Sequence, residues 1–273
     1  EYMKIKRVDL FYCLGLAQRA QGKIKEAFRN FSYAAFHYAW YSAANYQMAQ
    51  MASEQGNTAK AISYIKDAYS TNNREAGIAV LYSALLRQTG KDAEVKKILN
   101  TALEFDPLNY ALLYEKQLVE DADYLSGVHS RMQGVENNYI EIAVNYLNAG
   151  LYDEVVRLLM GIDEAQNPML LYYFAYALDG MNHRSAAEKA LTNADNKDFS
   201  YIFPYRKESE TILRYASEYN PSSPFPHYLL GNLLYDYRPD EAISEWNTAL
   251  KLDPKLSNIW RNIAFGAFHH EKN

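Results

Sequence analysis

Few residues of this 273-residue chain have the types and spacing that acid–base, nucleophilic or metal chemistry requires. The lone cysteine, Cys13, has no activating base near it in sequence and is expected to be a small packing residue. The histidines are scattered, without an HExxH motif or a cysteine partner, so the sequence indicates no metal site. They are His37, His129, His183, His227, His269 and His270. With no glycine-rich phosphate loop and no GxSxG elbow either, we expect no cofactor and a protein that is not an enzyme.

One acidic cluster has the residue types of an acid pair or a cation site. It consists of Glu120, Asp121 and Asp123, in an irregular part of the sequence. A solvated face or a helix N-terminus uses the same residue types without binding anything. We expect that second use here.

Tyrosine is the residue type that could bind a ligand, because the chain contains 25 of them. A tyrosine ring offers a flat apolar face with a hydroxyl at its edge and loses little rotamer entropy, which suits peptide backbones and sugar rings. Aromatic residues at helical spacing are usually core, and that alternative stays open for each ring. Tyr172, Tyr173 and Tyr176 lie within two helical turns and cannot all face one neighbour, so we expect at least one of them to be exposed.

The elements that would position these rings follow a period of 34 residues. Gly22, Gly56 and Gly90 are each 34 residues apart, and the same small and apolar residue types surround each of them. In the first unit, Gly15 and Ala27 stand where two helices of a pair would cross closely. Two short antiparallel helices with their turns need this length, and each pair buries its apolar face by stacking on the next. The sequence therefore predicts an all-α fold.

The period changes in two places. Gly150 follows Gly90 by 60 residues, which leaves room for one repeat of 26 residues between two full ones. Its apolar positions are Leu118, Ala122, Leu125, Val128 and Met132. Further on, one apolar face marks a single extra helix, which could begin near Pro204 and ends before Pro221. The predicted order within one continuous array, 1–273, is three regular repeats at 8–109, a shortened repeat at 110–135, two repeats at 136–201, an extra helix at 202–221, a repeat at 222–256 and a terminal helix at 257–273.

These units resemble the tetratricopeptide repeat (TPR), and residues 8–268 are similar to a TPR array. The resemblance implies a right-handed α–α superhelix, or solenoid. The segments NAGLYDEVVRLL, FPYR, YLLGNLLYD and IWRNIAF, in that order, are similar to the C-terminal repeat region of large bacterial proteins that carry a β-rich domain of unknown function. Because the chain opens with Glu1 instead of Met, we expect an excised part of such a protein.

The resemblance also implies a binding surface. In a TPR superhelix the first helix of each pair lines a concave groove, and the register transfers the groove positions to this chain. They are Tyr12, Tyr46, Tyr172, Tyr176, Tyr228, Asn232, Tyr235 and Arg261, followed by Phe265 and Phe268. Some TPR proteins grip a terminal carboxylate with lysine, asparagine and arginine. Here Asn232 and Asn262 would fit two of those positions, but Tyr228 stands where the key lysine belongs, so we expect no such clamp.

Charge and hydropathy narrow the possible partners. The chain has 28 basic and 33 acidic residues mixed along its length, a net charge of −5, which disfavours nucleic acid. No run of about 18 apolar residues predicts a membrane span, and no basic-then-apolar start predicts a signal peptide. The compartment stays unknown, with the cytoplasm slightly favoured over the periplasm.

Three functions remain open at the sequence level. The first is a protein-interaction scaffold that holds a peptide or a neighbouring domain in an aromatic concave groove. In the second, the array packs on its own N-terminal domain or on another copy, and apolar surface is then expected near Trp260 and Phe268. The third is an accessory module of a larger carbohydrate-active protein, which would present glycan on tyrosine faces.

Overall fold

A computed structural model of the chain describes residues 7–120, 124–162 and 164–270, except for the side chains of 124–126 and 269–270. Within these ranges the regular structure is helical throughout, in sixteen helices, and consecutive helices pack against each other. The predicted all-α fold class is therefore confirmed. Three residues named above, Asp121, Ala122 and Asp123, lie outside the described residues, and Leu125, His269 and His270 lie outside the described side chains.

The sixteen helices of the described residues have the following bounds. They are α1 Val8–Ala20, α2 Ile24–Ala35, α3 Tyr38–Glu54, α4 Thr58–Thr71, α5 Ala76–Gln88, α6 Asp92–Phe105, α7 Tyr110–Glu120, α8 Tyr124–Met132, α9 Glu136–Leu147, α10 Tyr152–Leu159, α11 Pro168–Gly180, α12 Arg184–Asp195, α13 Glu208–Tyr219, α14 Phe225–Leu234, α15 Pro239–Leu252 and α16 Ser257–His270. None of the described helices is long and apolar enough to cross a membrane.

The chain divides into two compact units, residues 1–151 and residues 152–273, which we call unit 1 and unit 2. Unit 1 contains α1 to α9, and unit 2 contains α10 to α16. The division falls between α9 and α10, two helices that the sequence assigns to one repeat. A single continuous array and its superhelical course stay predictions.

Glycines make the turns inside the regular pairs. Gly22, Gly56 and Gly90 have φ values of 70°, 72° and 73°, in the left-handed region that ends a helix without a Cβ clash. In the pair α11–α12 the corresponding residue is Asn182, with φ of 63°. Asparagine tolerates this region better than other residues with a side chain. Gly22, Gly56 and Gly90 therefore recur every 34 residues because the turn inside each of these pairs needs a residue in the left-handed region.

Small residues on the first helix of a pair receive large rings from the second. A Cβ placed on Gly15 of α1 would come within 2.8 Å of the Phe31 ring of α2. A Cβ placed on Gly231 of α14 would come within 2.3 Å of the Trp246 ring of α15. The two backbones approach closely only because these positions lack a side chain, which fixes the crossing of each pair.

Both irregular stretches contain helices within the described residues, and those of the first stretch are short. The shortened repeat consists of α7 with 11 residues and α8 with 9, against 14 residues in α4 and α6. The extra helix α13 begins at Glu208 and not near Pro204. Residues 202–205 have no regular structure, and the helix starts four residues after Pro204.

Candidate binding surfaces

The predicted groove tyrosines of unit 1 lie against their own chain. The Tyr12 ring lies between Phe31 and Trp40, with ring centroids 5.6 and 4.9 Å away, and burial raises the pKa of its hydroxyl. A Cβ on Gly77 of α5 would lie 3.0 Å from the Tyr46 hydroxyl oxygen. Both rings are half-buried. They pack the first helices of unit 1 together, and neither presents a whole ring face to solvent.

A polar cluster around Arg19 occupies the same side of α1 and α3. The Arg19 guanidinium donates to the side-chain oxygens of Gln47 and Gln50 at 2.8 and 2.7 Å, and to the main-chain oxygen of Asn148 at 2.6 Å. The Glu54 carboxylate lies 3.5 Å from it. Only 18% of the Arg19 side chain is exposed, and this burial lowers its pKa. Sequence analysis does not predict this cluster, because Asn148 lies in a repeat far along the chain.

The turn that follows α9 reinforces this contact. At Gly150, with φ of 68°, a Cβ would come within 2.9 Å of the Glu54 Cα at the end of α3. The turn therefore fits against α3 because it carries a glycine. The turn after α9 therefore contacts α1 through Arg19 and α3 through Glu54.

Two predicted groove residues of unit 2 are buried. Tyr172 is 0% exposed, and its hydroxyl donates to the Asp195 carboxylate at 2.7 Å. Burial, with the charge of Asp195 beside it, raises its pKa. Tyr228 is 8% exposed. The prediction that these two rings face a ligand is wrong.

The extra helix α13 explains why Tyr172 and Tyr173 are enclosed. It packs on α11, and its Ser209 hydroxyl lies 3.1 Å from the hydroxyl of Tyr173, which is also 0% exposed. After the end of α13, the Asn220 side chain donates to Asp195 at 2.9 Å. Two of the three clustered tyrosines are thus core, and Tyr176 is half-buried. That at least one of the three rings faces a groove stays a prediction.

Tyr176 belongs to a row of four tyrosines across α10, α11 and α13. Its ring centroid lies 6.1 Å from that of Tyr152 and 5.2 Å from that of Tyr215, both in edge-to-face geometry, and Tyr215 is followed by Tyr219 at 5.8 Å. The first three rings are half-buried and Tyr219 is 37% exposed. We call these four residues the tyrosine row. The helical spacing of Tyr215 and Tyr219 is the sequence signal that could have found it.

One hydroxyl of the tyrosine row is enclosed without a partner. The Tyr215 hydroxyl is buried and makes no hydrogen bond within the described part of the chain. Burial raises its pKa, and the nearby Asp179 carboxylate raises it further. The hydroxyl is therefore a neutral donor at any physiological pH.

The remaining predicted residues lie at the junction of α14, α15 and α16. The Asn232 side-chain oxygen accepts from the Trp246 indole and from the Asn262 amide, each at 3.1 Å. Tyr235 stacks on Trp246 with centroids 5.3 Å apart. Arg261 is exposed and donates to Asn262 at 3.3 Å. Asn232 and Tyr235 hold helices together here, whereas Arg261 is on the surface.

A non-helical segment before α13 carries three exposed aromatic residues. Tyr201, Phe203 and Tyr205 are 90%, 68% and 55% exposed, and the residues between them are half-buried. Phe203 and Tyr205 belong to backbone without regular structure, whereas Tyr201 lies in a turn with φ of 60°. We call residues 201–205 the aromatic segment. The sequence analysis missed it because it assigned this stretch to the extra helix.

A cavity of about 550 Å³ lies within unit 2 beside the short helix α10. Its walls include Met160, Leu171, Phe174, Asn193 and Lys197. The helix α10 has only 8 residues, which leaves this space beside α11 and α12 open. The lining mixes apolar and polar groups without a feature that selects one ligand.

The buried charges of unit 1 make structural contacts. Glu115, at 0% exposure, accepts from the Arg87 guanidinium at 3.1 Å and from the Tyr146 hydroxyl at 2.6 Å. This buried ion pair joins α5, α7 and α9. In either unit, no three of the described histidine, cysteine, aspartate and glutamate side chains are placed to hold a metal ion.

No family model matches the chain, and no curated protein matches it. Among solved structures, the chain is similar to a tetratricopeptide repeat protein from Parabacteroides merdae, at 14% identity over 96% of this chain and 99% of that one, with a TM-score of 0.40. It is similar to the TPR domain of P58(IPK), at 14% identity over 98% of this chain and 66% of that one, with a TM-score of 0.36. A thermophilic TPR protein from Thermus thermophilus matches at 12% identity over 83% of this chain and 99% of that one, with a TM-score of 0.27. Such distant likenesses carry no argument about function.

Proposed function

We propose that this chain is a non-catalytic protein-interaction scaffold, and that the tyrosine row of unit 2 binds an extended peptide or a loop of a neighbouring domain. The observation that carries the proposal is the row itself, four rings in mutual contact that stay half-buried or exposed across three helices. A neighbouring domain of the same protein, N-terminal to this chain, is one source of such a loop. Nucleic acid is disfavoured by the acidic, mixed charge.

The physical properties of the row suit a peptide. Rings held edge to face by their neighbours have little rotamer freedom left to lose on binding. Tyrosine is among the residues that carry most of the energy in protein interfaces. The ring faces of Tyr176 and Tyr219 would supply the apolar contact, since Tyr176 is half-buried and Tyr219 is 37% exposed.

The experiment places a photo-crosslinking benzoylphenylalanine at position 219 and isolates the segment that it captures from source cells. A synthetic peptide of that segment is then titrated against the native chain and against the Tyr176→Ala and Tyr219→Ala variants. We expect each variant to lose at least about tenfold in affinity, the size of a good interface contact. The matched control is Tyr237→Ala, because Tyr237 is 87% exposed and lies outside the row. Equal affinity of all four proteins, or the same crosslink from position 237, would contradict the proposal.

A second function is supported by the aromatic segment, namely an accessory role in a larger carbohydrate-active protein. Three exposed rings within five residues offer flat apolar surface to the apolar faces of sugar rings. Titration with a panel of soluble oligosaccharides tests it. Binding that disappears in Tyr201→Ala and Phe203→Ala, and persists in Phe36→Ala, a similarly exposed ring in unit 1, would support glycan presentation. Absence of binding by the native chain would rule it out for these glycans.

A further inference from the structure

We propose that the tyrosine row binds one positively charged side chain of its partner, an arginine, and that the carboxylates of Asp179 and Glu218 select it. This inference rests on the proposed function, because it names the residue that the bound peptide or loop presents to the row. It also states what the row should bind less well, namely a neutral side chain of the same shape.

The two helices that carry the centre of the row run in the same direction. The Tyr173 hydroxyl of α11 lies 3.1 Å from the Ser209 hydroxyl of α13. Further along both helices, the ring centroids of Tyr176 and Tyr215 are 5.2 Å apart. These two rings each lie four residues before the last residue of their helix. Two helix C-termini, each with a partial negative charge, therefore lie beside the row.

Each of these two rings is followed by an acidic residue on the same side of its helix. Asp179 comes three residues after Tyr176 in α11. Glu218 comes three residues after Tyr215 in α13, and this spacing makes the two side chains neighbours on the helix surface. A carboxylate in the last turn of a helix lies where the helix dipole disfavours negative charge, and neither last turn contains a basic residue. A cation bound at the row would stabilise both carboxylates.

The basic residues of the chain near these carboxylates leave them accessible. The Arg184 Nε lies 4.0 Å from a carboxylate oxygen of Asp179, and the Arg184 side chain is 82% exposed. Such an exposed pair contributes little, so a bound cation can replace it. Arg214, one turn before Glu218, is paired with three glutamates of α13 and α15. The net charge of −5 also favours the approach of a basic segment.

The arrangement of the rings favours arginine among the basic side chains. The Tyr176 ring is at 87° to that of Tyr215 and at 72° to that of Tyr152. Rings that are nearly perpendicular form a corner in which a cation contacts the electron-rich faces of two rings. Burial raises the pKa of the Tyr215 hydroxyl and the Asp179 charge raises it further, which places this carboxylate near the corner. A planar guanidinium stacks on a ring and donates two parallel hydrogen bonds to a carboxylate, whereas an ammonium group is not planar.

The test titrates the full chain, labelled with carbon-13 in its tyrosine rings, with two short peptides. One is acetyl-Ser-Gly-Arg-Gly-Ser-amide, and the other carries citrulline in place of the arginine, which keeps the shape and removes the charge. The ring signals of Tyr176 and Tyr219 are assigned from the corresponding phenylalanine variants, and their shifts give both affinities. The salt concentration is kept low, because ions screen exposed charges.

Two double variants complete the design. Asp179→Asn with Glu218→Gln removes both carboxylates and keeps the size of the side chains. The matched control, Glu26→Gln with Glu104→Gln, removes the same charge from two exposed positions of unit 1. We expect the native and control chains to bind the arginine peptide at least about fivefold more tightly than the Asp179 and Glu218 variant does. The native chain should prefer arginine to citrulline by at least about the same factor.

Equal affinity of the native chain for the two peptides would overturn this inference and leave the proposed function standing, because the row would then bind a peptide without regard to charge. The inference also fails if the arginine peptide shifts neither ring signal, or if the Asp179 and Glu218 variant binds it as tightly as the control does. Failure of the proposed function would look different. The segment captured from source cells would then bind with an affinity that does not depend on Tyr176 or Tyr219.

Discussion

At the scale of single residues, the neighbours of a tyrosine hydroxyl decide what its ring does. Tyr172 and Tyr176 lie one turn apart on α11. The Tyr172 hydroxyl donates to Asp195, whereas the Tyr176 ring contacts other rings. A hydroxyl that is buried with a carboxylate partner is fixed in the core. The repeat register can assign an aromatic residue to the groove. Its ring is nevertheless buried where a later part of the chain supplies a hydrogen-bond partner for its hydroxyl.

Two tyrosine-to-phenylalanine changes should affect the free energy of unfolding differently. Tyr172→Phe removes a hydrogen bond to a carboxylate at a fully buried site, and we expect a loss of about 1.5–3 kcal/mol in the free energy of unfolding. Tyr215→Phe removes an enclosed hydroxyl that has no partner in the described residues, so stability should be unchanged or higher. Urea titrations of both variants measure this, and a similar loss in both would contradict it.

His129 should make folding sensitive to pH. Its Nδ1 lies 2.8 Å from the Tyr139 hydroxyl, its Nε2 is buried without a hydrogen bond in the described residues, and burial lowers its pKa from 6.5. A depressed histidine pKa favours the neutral form in the folded state, so the contribution is complete above about pH 6.5 and is lost as the pH falls through the folded pKa. We expect the free energy of unfolding to fall between about pH 7.5 and 5.5.

The His129→Gln variant isolates this effect. Its free energy of unfolding should change less over the same pH interval, because position 129 no longer takes up a proton on unfolding. Urea titrations across this interval suffice. An unchanged slope in the variant would mean that other groups cause the pH dependence.

At the scale of helices and turns, glycines with the same backbone angle have different roles. Gly22 and Gly150 have φ of 70° and 68°, but a Cβ on Gly22 would meet nothing within 4 Å, whereas one on Gly150 would reach the Glu54 Cα. Gly22→Ala should cost about 1–2 kcal/mol of backbone strain. Gly150→Ala should cost roughly 1–3 kcal/mol more, because α3 has to move. Thermal or urea unfolding compares the two, and equal losses would mean that the turn does not press on α3.

The difference between local signals and contacts with distant parts of the chain explains which helices could be predicted from the sequence. The pairs α1–α2, α3–α4 and α5–α6 follow from local signals, namely the period of Gly22, Gly56 and Gly90 and the small residues around them. The aromatic segment and the burial of Tyr172 depend on how α13 packs on α11. Register places a side chain on a face of its helix but does not reveal what covers that face. The candidate surfaces were therefore less predictable than the helices.

At the scale of the whole molecule, the two compact units should respond separately to a core change. Glu115→Gln weakens the buried contact with Arg87 and Tyr146, which joins three helices of unit 1. Breaking a buried pair is costly, about 3–5 kcal/mol. We expect faster amide hydrogen exchange in α5, α7 and α9 and unchanged exchange in α11, α14 and α15. The exposed pair Arg7–Asp9 supplies the control, since Asp9→Asn should leave exchange in α5, α7 and α9 unchanged.

Faster exchange throughout the chain would contradict independent units. It would mean that the chain opens as one body and that the division at residue 151 has no energetic counterpart.

The bond between Arg19 and Asn148 has a consequence for the folding reaction. When repeats touch only their neighbours, folding can start at any repeat and spread to the next. Here Arg19 of α1 donates a hydrogen bond to Asn148, 129 positions further along the chain. A loop of that length must close before this bond forms. We expect this closure to follow the rate-limiting step, because its entropy cost is large for one hydrogen bond. Arg19→Met should then accelerate unfolding of unit 1 while its refolding rate stays the same.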